Sequence, residues 1–285
     1  GAGHKVIHPP ASKLAVGDKI LSEIKLMFIE EESCVVKKKL IFLDIDGTLT
    51  TAGSSIPPES ALEAIKKAQK AGHRVFLASG RNYGMLSPLL KYGFDGVIAS
   101  AGGYILVGDK LVYDCPMDKE DAKIALELLH KNGVFCTVES RDIAYGDSNL
   151  ADFFSNAAVG GNSEIERWRK ALSENLGIHD IKEYDGRPVY KIVVMCMKNE
   201  QLDEARKRLE KKYEFCMQIA PMEFNTCVNG ELINREFDKG KALKRVAEVL
   251  DTDIKDTNRN IPFGINILLL GFAVIAYAII KKKKK

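Results

Sequence analysis

The 285-residue chain is long enough for one large domain or two modest ones, each with its own core. Hydrophobic residues make up 46% and charged residues 28%, a balance that excludes a mostly disordered or fibrous protein. The net charge of +3 comes entirely from the five lysines that close the sequence; the rest carries −2, leaving no basic footprint for a nucleic acid partner.

Six cysteines (34, 115, 136, 196, 216 and 227) are scattered, with no Cys-x-x-Cys pair and no histidine at metal-ligand spacing. That usage suits reduced thiols in a cytoplasmic setting better than a disulfide framework or a zinc site. The first residue is Gly and no apolar run opens the chain, so no secretory leader is expected. Residues 1–35 read as an N-terminal extension without clear period, and Met27 is a plausible natural start.

From Lys39 the pattern alternates. Leu40-Ile41-Phe42-Leu43 is a continuous apolar run, as expected of a parallel strand covered on both faces. Pro57-Pro58 opens a helix through Ala71, with Leu62, Ile65 and Ala68 on one face. Arg74 to Ala78 is the next strand, a helix follows from about Asn82 to Lys91, and Gly96 to Ala99 is a third strand. This order predicts an α/β fold built on a doubly wound parallel sheet.

After Asp114 the texture changes. Asp118 caps a helix to Lys131, and Val134 to Glu139 reads as a strand. A helix is expected from Ser163 to Leu176, a long strand from Val189 to Met197, a helix from Asn199 to Lys212, and strands near Phe215–Ile219 and Glu231–Ile233. Lys239-Gly240-Lys241 then opens a helix with Leu243, Val246, Ala247 and Leu250 on one stripe, which would return the chain to the first sheet. The expected organisation is a first core segment over 36–114, an inserted α+β cap over 115–224, and a second core segment over 225–257. Residues 258–285 form an apolar tail ending in the lysine run.

The sharpest chemical signal is Asp44-Ile45-Asp46-Gly47-Thr48, directly after the first strand. Two carboxylates at i and i+2 at a strand's carboxyl end can share the crevice where such sheets bind ligands. One can attack an electrophile while the other trades protons with the leaving group.

Taken with two later segments, this stretch resembles the haloacid dehalogenase superfamily, in its Cof-type subfamily IIB phosphatases. The first motif is Asp44-x-Asp46-Gly47-Thr48-Leu49-Thr50, the second Phe76-Leu77-Ala78-Ser79-Gly80-Arg81, and the third Phe237-Asp238-Lys239-Gly240-Lys241. Ile98-Ala99-Ser100-Ala101-Gly102-Gly103 is similar to the strand and turn before the family's cap, with Ala101 where Asn is common. The resemblance spans roughly residues 38–257. It implies that Asp44 is the nucleophile that becomes an aspartyl phosphate and that Asp46 is the acid and base. It implies further that Lys239 neutralises charge, and that Thr48, Ser79, Gly80 and Arg81 hold the phosphoryl group. Mg²⁺ is the implied cofactor, with Asp44 and Asp46 among its ligands. The implied substrate is a small phosphorylated metabolite, a sugar phosphate above all.

A fourth motif should follow Asp256-Thr257 as a short strand carrying Gly-Asp and a second Asp. The chain instead reads Asn258-Arg259-Asn260-Ile261-Pro262-Phe263-Gly264-Ile265, and an aligned Ile265 and Leu269 cannot ligate a hard cation. The alternative to an active phosphatase is therefore an impaired relative, truncated or membrane-tethered, that only binds phosphate esters. Residues 261–280 are apolar apart from Asn266. Gly264 to Ile280 would make a helix of about 25 Å, slightly short of a ~30 Å hydrocarbon core. Three readings stay open for this tail: a C-terminal membrane anchor, a buried replacement strand, or the product of a misread or misspliced transcript. Arg187 and Lys191 read as solvated surface charges that could alternatively contact substrate, and Trp168 as packing. Oligomeric state has no signature in the sequence.

Overall fold

The computed structural model describes residues 38–46, 48–50, 56–148, 178–221, 226–253 and 257–260. Two six-stranded sheets organise them. The first is built from β1 (Leu40–Leu43), β2 (Arg74–Ala78), β3 (Gly96–Ala99), β4 (Tyr104–Val107), β5 (Lys110–Asp114) and β12 (Thr257–Asn260). Its order is β12-β1-β2-β3-β4-β5.

Successive residues of a strand face opposite sides of its sheet, and β1 shows what that means for an unbroken apolar run. Ile41 and Leu43 pack into a cluster with Ala61, Ala64 and Ile65 of α1 (Glu59–Lys70) and Leu86 and Leu89 of α2 (Tyr83–Leu90). Leu40 and Phe42 pack on the other side with Ala242, Leu243, Val246 and Ala247 of α5 (Lys239–Val249). Helices cover both faces, so no polar residue is tolerated in the strand. The late helix does return to the first sheet, and β12 follows it to pair in parallel with β1, Asn260 level with Leu43.

The expected doubly wound parallel core is present, and a hairpin is added at its edge. β12, β1, β2 and β3 are parallel, but β4 and β5 form an antiparallel hairpin on the edge. The hairpin is short, and its outer strand is largely exposed. It therefore lacks the double-sided apolar run that betrays a central strand.

The second sheet has the order β10-β11-β9-β6-β7-β8. Its strands are β6 (Phe135–Ser140), β7 (Ala144–Gly146), β8 (Ile178–Asp180), β9 (Val189–Cys196), β10 (Tyr213–Pro221) and β11 (Thr226–Asn234). One face is packed by α3 (Lys119–Lys131) and α4 (Asp203–Leu209), burying Val138, Ile192, Val194 and Leu232 against Ala122, Ala125 and Ala205. Asp118 caps α3 as expected, accepting from the backbone N–H groups of Glu120 and Asp121.

Two expectations in this region change. β11 pairs with β10 along its whole length and with β9 from Val228 to Ile233, so the second sheet extends to Asn234 and past residue 224. The helix read over Asn199–Lys212 is a 3₁₀ turn at Asn199–Leu202 followed by α4, which ends at Leu209. The helix read over Ser163–Leu176, Trp168, the N-terminal extension and the tail from residue 261 all lie outside the described residues. Among the described residues no helix is long and apolar enough to cross a membrane.

Candidate active site

The carboxyl ends of the parallel strands converge on one crevice. The chain leaves β1 through a tight turn in which the backbone N–H groups of Thr48, Leu49 and Thr50 all donate to the carbonyl of Ile45, at 2.9–3.2 Å. Leu49 also reaches the carbonyl of Asp44 at 3.1 Å. Ile45 and Leu49 are fully buried beneath this turn, which fixes the neighbouring Asp44, itself 4% exposed.

Lys239, the first residue of α5, donates from Nζ to Asp44 Oδ1 at 2.6 Å across 195 residues of sequence. Asp238 caps that helix, its side chain accepting from the Lys241 N–H, so the helix start is held as it approaches Asp44. Burial lowers the Lys239 ammonium from its usual pKa and outweighs the pull of Asp44 in the other direction.

Asp46 is held differently. Arg81 grips both its oxygens, Nε to Oδ2 at 2.9 Å and an Nη to Oδ1 at 2.6 Å, in a bidentate pair. The expectation that Arg81 holds phosphate therefore meets a guanidinium already committed to the second carboxylate. Ser79 sits one residue beyond β2, where the pairing of Leu43 with Leu77 brings the end of β2 alongside the Asp44 turn. It is buried, and its Oγ accepts from the Arg81 N–H at 3.2 Å. Thr48 lies half-buried in the turn after β1.

The Ser79-Gly80-Arg81 turn is itself gripped. The Ser79 carbonyl accepts from Ala101 N–H at 3.0 Å and the Arg81 carbonyl from Ser100 N–H at 2.8 Å. The Gly80 carbonyl accepts from Lys191 Nζ at 3.0 Å. Ser100 and Ala101 make their contacts in a left-handed conformation, φ +47° and +57°. Asn tolerates that region better than Ala, which gives a physical reason why Asn is common at this place in the motif.

Lys191 is the largest departure from expectation. It is 5% exposed, not solvated, and lies among Glu139 and Glu231, at 3.3 and 2.9 Å. Arg187, by contrast, is an exposed surface residue paired with Asp185. Away from the crevice, His130, Cys136 and Asp147 converge within 4.8 Å, a grouping that sequence spacing had not suggested. Burial holds the Cys136 thiol well above its usual pKa, and His130 pairs with Asp147 at 3.1 Å.

Comparisons with known proteins identify the family. The sequence profile of the haloacid dehalogenase-like hydrolases matches residues 41–259. The chain belongs to that family. YkrA of Bacillus subtilis is 24% identical over 220 residues, covering 77% of each chain. The phosphatase YwpJ of the same organism is 24% identical over 245 residues, covering 77% of this chain and 81% of its own. Among solved structures, the subclass IIB sugar phosphatase BT4131 superposes with a TM-score of 0.57 at 20% identity, covering 77% of this chain and 79% of that one. The mixed first sheet and the second sheet are thus the fold of this family, and the chain is a hydrolase of the Cof-type branch.

Proposed function

We propose that this hydrolase cleaves small phosphate monoesters, sugar phosphates among them, through a phosphoryl group carried on Asp44. The observation that carries the reading is the buried 2.6 Å pair between Asp44 and Lys239, with Ser79 and Arg81 brought to the same crevice from the end of β2. A nucleophilic carboxylate beside a fixed cation suits attack on phosphorus, because the cation offsets charge gathering on the phosphoryl oxygens. In this reading Asp44 forms the new P–O bond as the ester P–O bond breaks. Asp46 gives its proton to the departing oxygen and later takes one from the water that releases phosphate. Arg81 aims Asp46, and Ser79, Thr48 and the backbone N–H groups of the Gly80 turn receive the phosphoryl oxygens. The second sheet and its helices, roughly residues 115–234, act as the cap over the leaving group.

Asp44 and Asp46 offer only oxygen donors, the ligand chemistry of Mg²⁺, and would hold that ion through the Asp44 carboxylate and the Asp46 carbonyl. Bound there, Mg²⁺ would supply positive charge to the phosphoryl group. One sequence fact supports a second reading, a relative that binds phosphate esters without turning them over: no Asp or Glu follows Asp256. Hydrolysis of p-nitrophenyl phosphate with and without Mg²⁺, compared between the native chain and Asp44→Asn, decides. Mg²⁺-dependent release that Asp44→Asn abolishes is the expected result. Equal rates in the two proteins would overturn the proposal, and no release from either favours the binder.

A further inference from the structure

The phosphate-binding turn of this site is completed by the second sheet. Three carbonyls line the Ser79-Gly80-Arg81 turn, and two of them are held from within the first sheet, by Ala101 and Ser100. The middle one is held by Lys191, which stands 111 residues away on β9. An ammonium has three N–H donors; that of Lys191 donates to Gly80 O at 3.0 Å and Glu231 Oε1 at 2.9 Å, and it is ion-paired with Glu139 Oε2 at 3.3 Å. With its ammonium turned to these three oxygens, Lys191 is placed to hold the turn and not to contact substrate.

The charges around it are built into the sheet. Glu139 of β6 pairs in register with Lys191, and Glu231 of β11 sits opposite Val193, the next position on the same face. Lys191 and Glu231 are buried, and the Glu139 side chain is only 12% exposed. Burying three charges is costly, and an apolar trio would cover the same area more cheaply. What the charged trio provides, and an apolar one would not, is a donor aimed at Gly80.

We propose that Lys191 is a positioning residue: from the cap it fixes the Gly80 carbonyl, and through the turn it sets the aim of Ser79 and of the Arg81 guanidinium on Asp46. The cap thereby takes part in the chemistry of the crevice and does not merely cover it. This rests on the phosphatase reading only for its kinetic arm.

The test, run at about pH 8 where Glu231 is ionised, removes one charge of each sign with Lys191→Met plus Glu231→Gln, leaving the net charge of the cluster unchanged. Glu231→Gln alone, which keeps the donor on Gly80, is the comparator. Hydrogen exchange is read at the Arg81, Ser100 and Ala101 amides, and at Val138 and Ile192 in the second sheet. Loss of a charged hydrogen bond should speed exchange at the three turn amides about tenfold in the double variant. Val138 and Ile192, and the turn in Glu231→Gln, should keep native protection. Native protection of the turn in a folded double variant overturns the proposal, and so does equal loosening of turn and sheet. Should the double variant not fold, Lys191→Gln with Glu231→Gln takes its place, its shorter amide stopping short of Gly80, with the same two outcomes. The kinetic arm uses p-nitrophenyl phosphate. A roughly tenfold fall in kcat with KM within twofold supports positioning, and an unchanged kcat overturns it. A native protein that hydrolyses nothing would remove the phosphatase reading while the exchange data still decide this one.

Discussion

Gly102 follows the residue that holds the second motif and lies against the third, and substituting it tests how finely the site depends on their spacing. The residue has φ +113°, and a Cβ there would meet the Asp238 carbonyl oxygen at 2.7 Å, its carbon at 3.0 Å and the Ala242 Cβ at 3.2 Å. Two of those atoms are backbone at the start of α5 and cannot rotate aside. Ordinary contact begins at 3.4 Å, so Gly102→Ala must push Asp238 back by about 0.7 Å. The helix behind it is anchored by four buried side chains, Ala242, Leu243, Val246 and Ala247, so the displacement falls on its first turn. Lys239 is the next residue, and its 2.6 Å bond to Asp44 is the contact that must stretch. A misplacement approaching 1 Å in a catalytic constellation costs on the order of 10²-fold in rate. The forbidden φ adds about 2 kcal/mol of strain, equivalent to a fall of about 5 °C in thermal midpoint for a chain of this size. Gly93→Ala is the control: φ is +81°, but nothing lies within 4 Å of the added carbon. Both variants should melt early, and only Gly102→Ala should lose p-nitrophenyl phosphate turnover, by about 30-fold or more. A folded Gly102→Ala protein as active as Gly93→Ala would refute the claim that Lys239 placement limits the rate.

The Glu139–Lys191–Glu231 cluster predicts a pH signature. Burial and the neighbouring Glu139 carboxylate push Glu231 up to about 7 in spite of Lys191, so between about pH 4.5 and 7 the folded protein binds more protons than the unfolded chain. Stability should therefore fall as pH rises through that window, by about 3 kcal/mol relative to Glu231→Gln, in urea melts from pH 4 to 8. A flat difference would mean that the carboxylate is ionised throughout. Ala101, at φ +57°, should be improved by Ala101→Asn, with about 0.5–1 kcal/mol of added stability and no loss of turnover.

Most of the first sheet was legible because its central strands are buried on both faces. Leu40–Leu43 and Arg74–Ala78 admit no polar residue after their first position, and the structure places both where the sequence does. The β4–β5 hairpin was not legible, since an edge pair with one exposed strand has no pattern to separate it from loop. The motif residues were found as strings, but which side chain meets which was not. The pairing of Arg81 with Asp46 depends on β2 lying beside β1 in a particular register, and local spacing holds no record of that. Lys191 was misread for a related reason. A lysine in an apolar strand looks like a solvated edge charge until two glutamates on neighbouring strands are known to share its face. The signal was present in Glu139 and Glu231, both in strand-like stretches, but single strands cannot show which of their residues come together.

The described acids of the crevice share one arrangement: each meets a cation brought from a distant segment. Asp44 meets Lys239 from α5, and Asp46 meets Arg81 from beyond β2. Glu139 and Glu231 meet Lys191 from β9. A buried carboxylate left alone costs several kcal/mol, so these pairs make closure of the crevice conditional on chain return. Asp44 gains its cation only once α5 has packed against the far face of β1, after the whole second sheet has been threaded between them in sequence. The same dependence explains why the lysine on Asp44 is depressed rather than raised. In the proposed mechanism, a site dry enough for Asp44 and Lys239 to act strongly on phosphorus is also dry enough for desolvation of the ammonium to exceed its attraction to one carboxylate. Proximity of the charges and exclusion of water are therefore one property of the fold, set by the packing of α5 on β1.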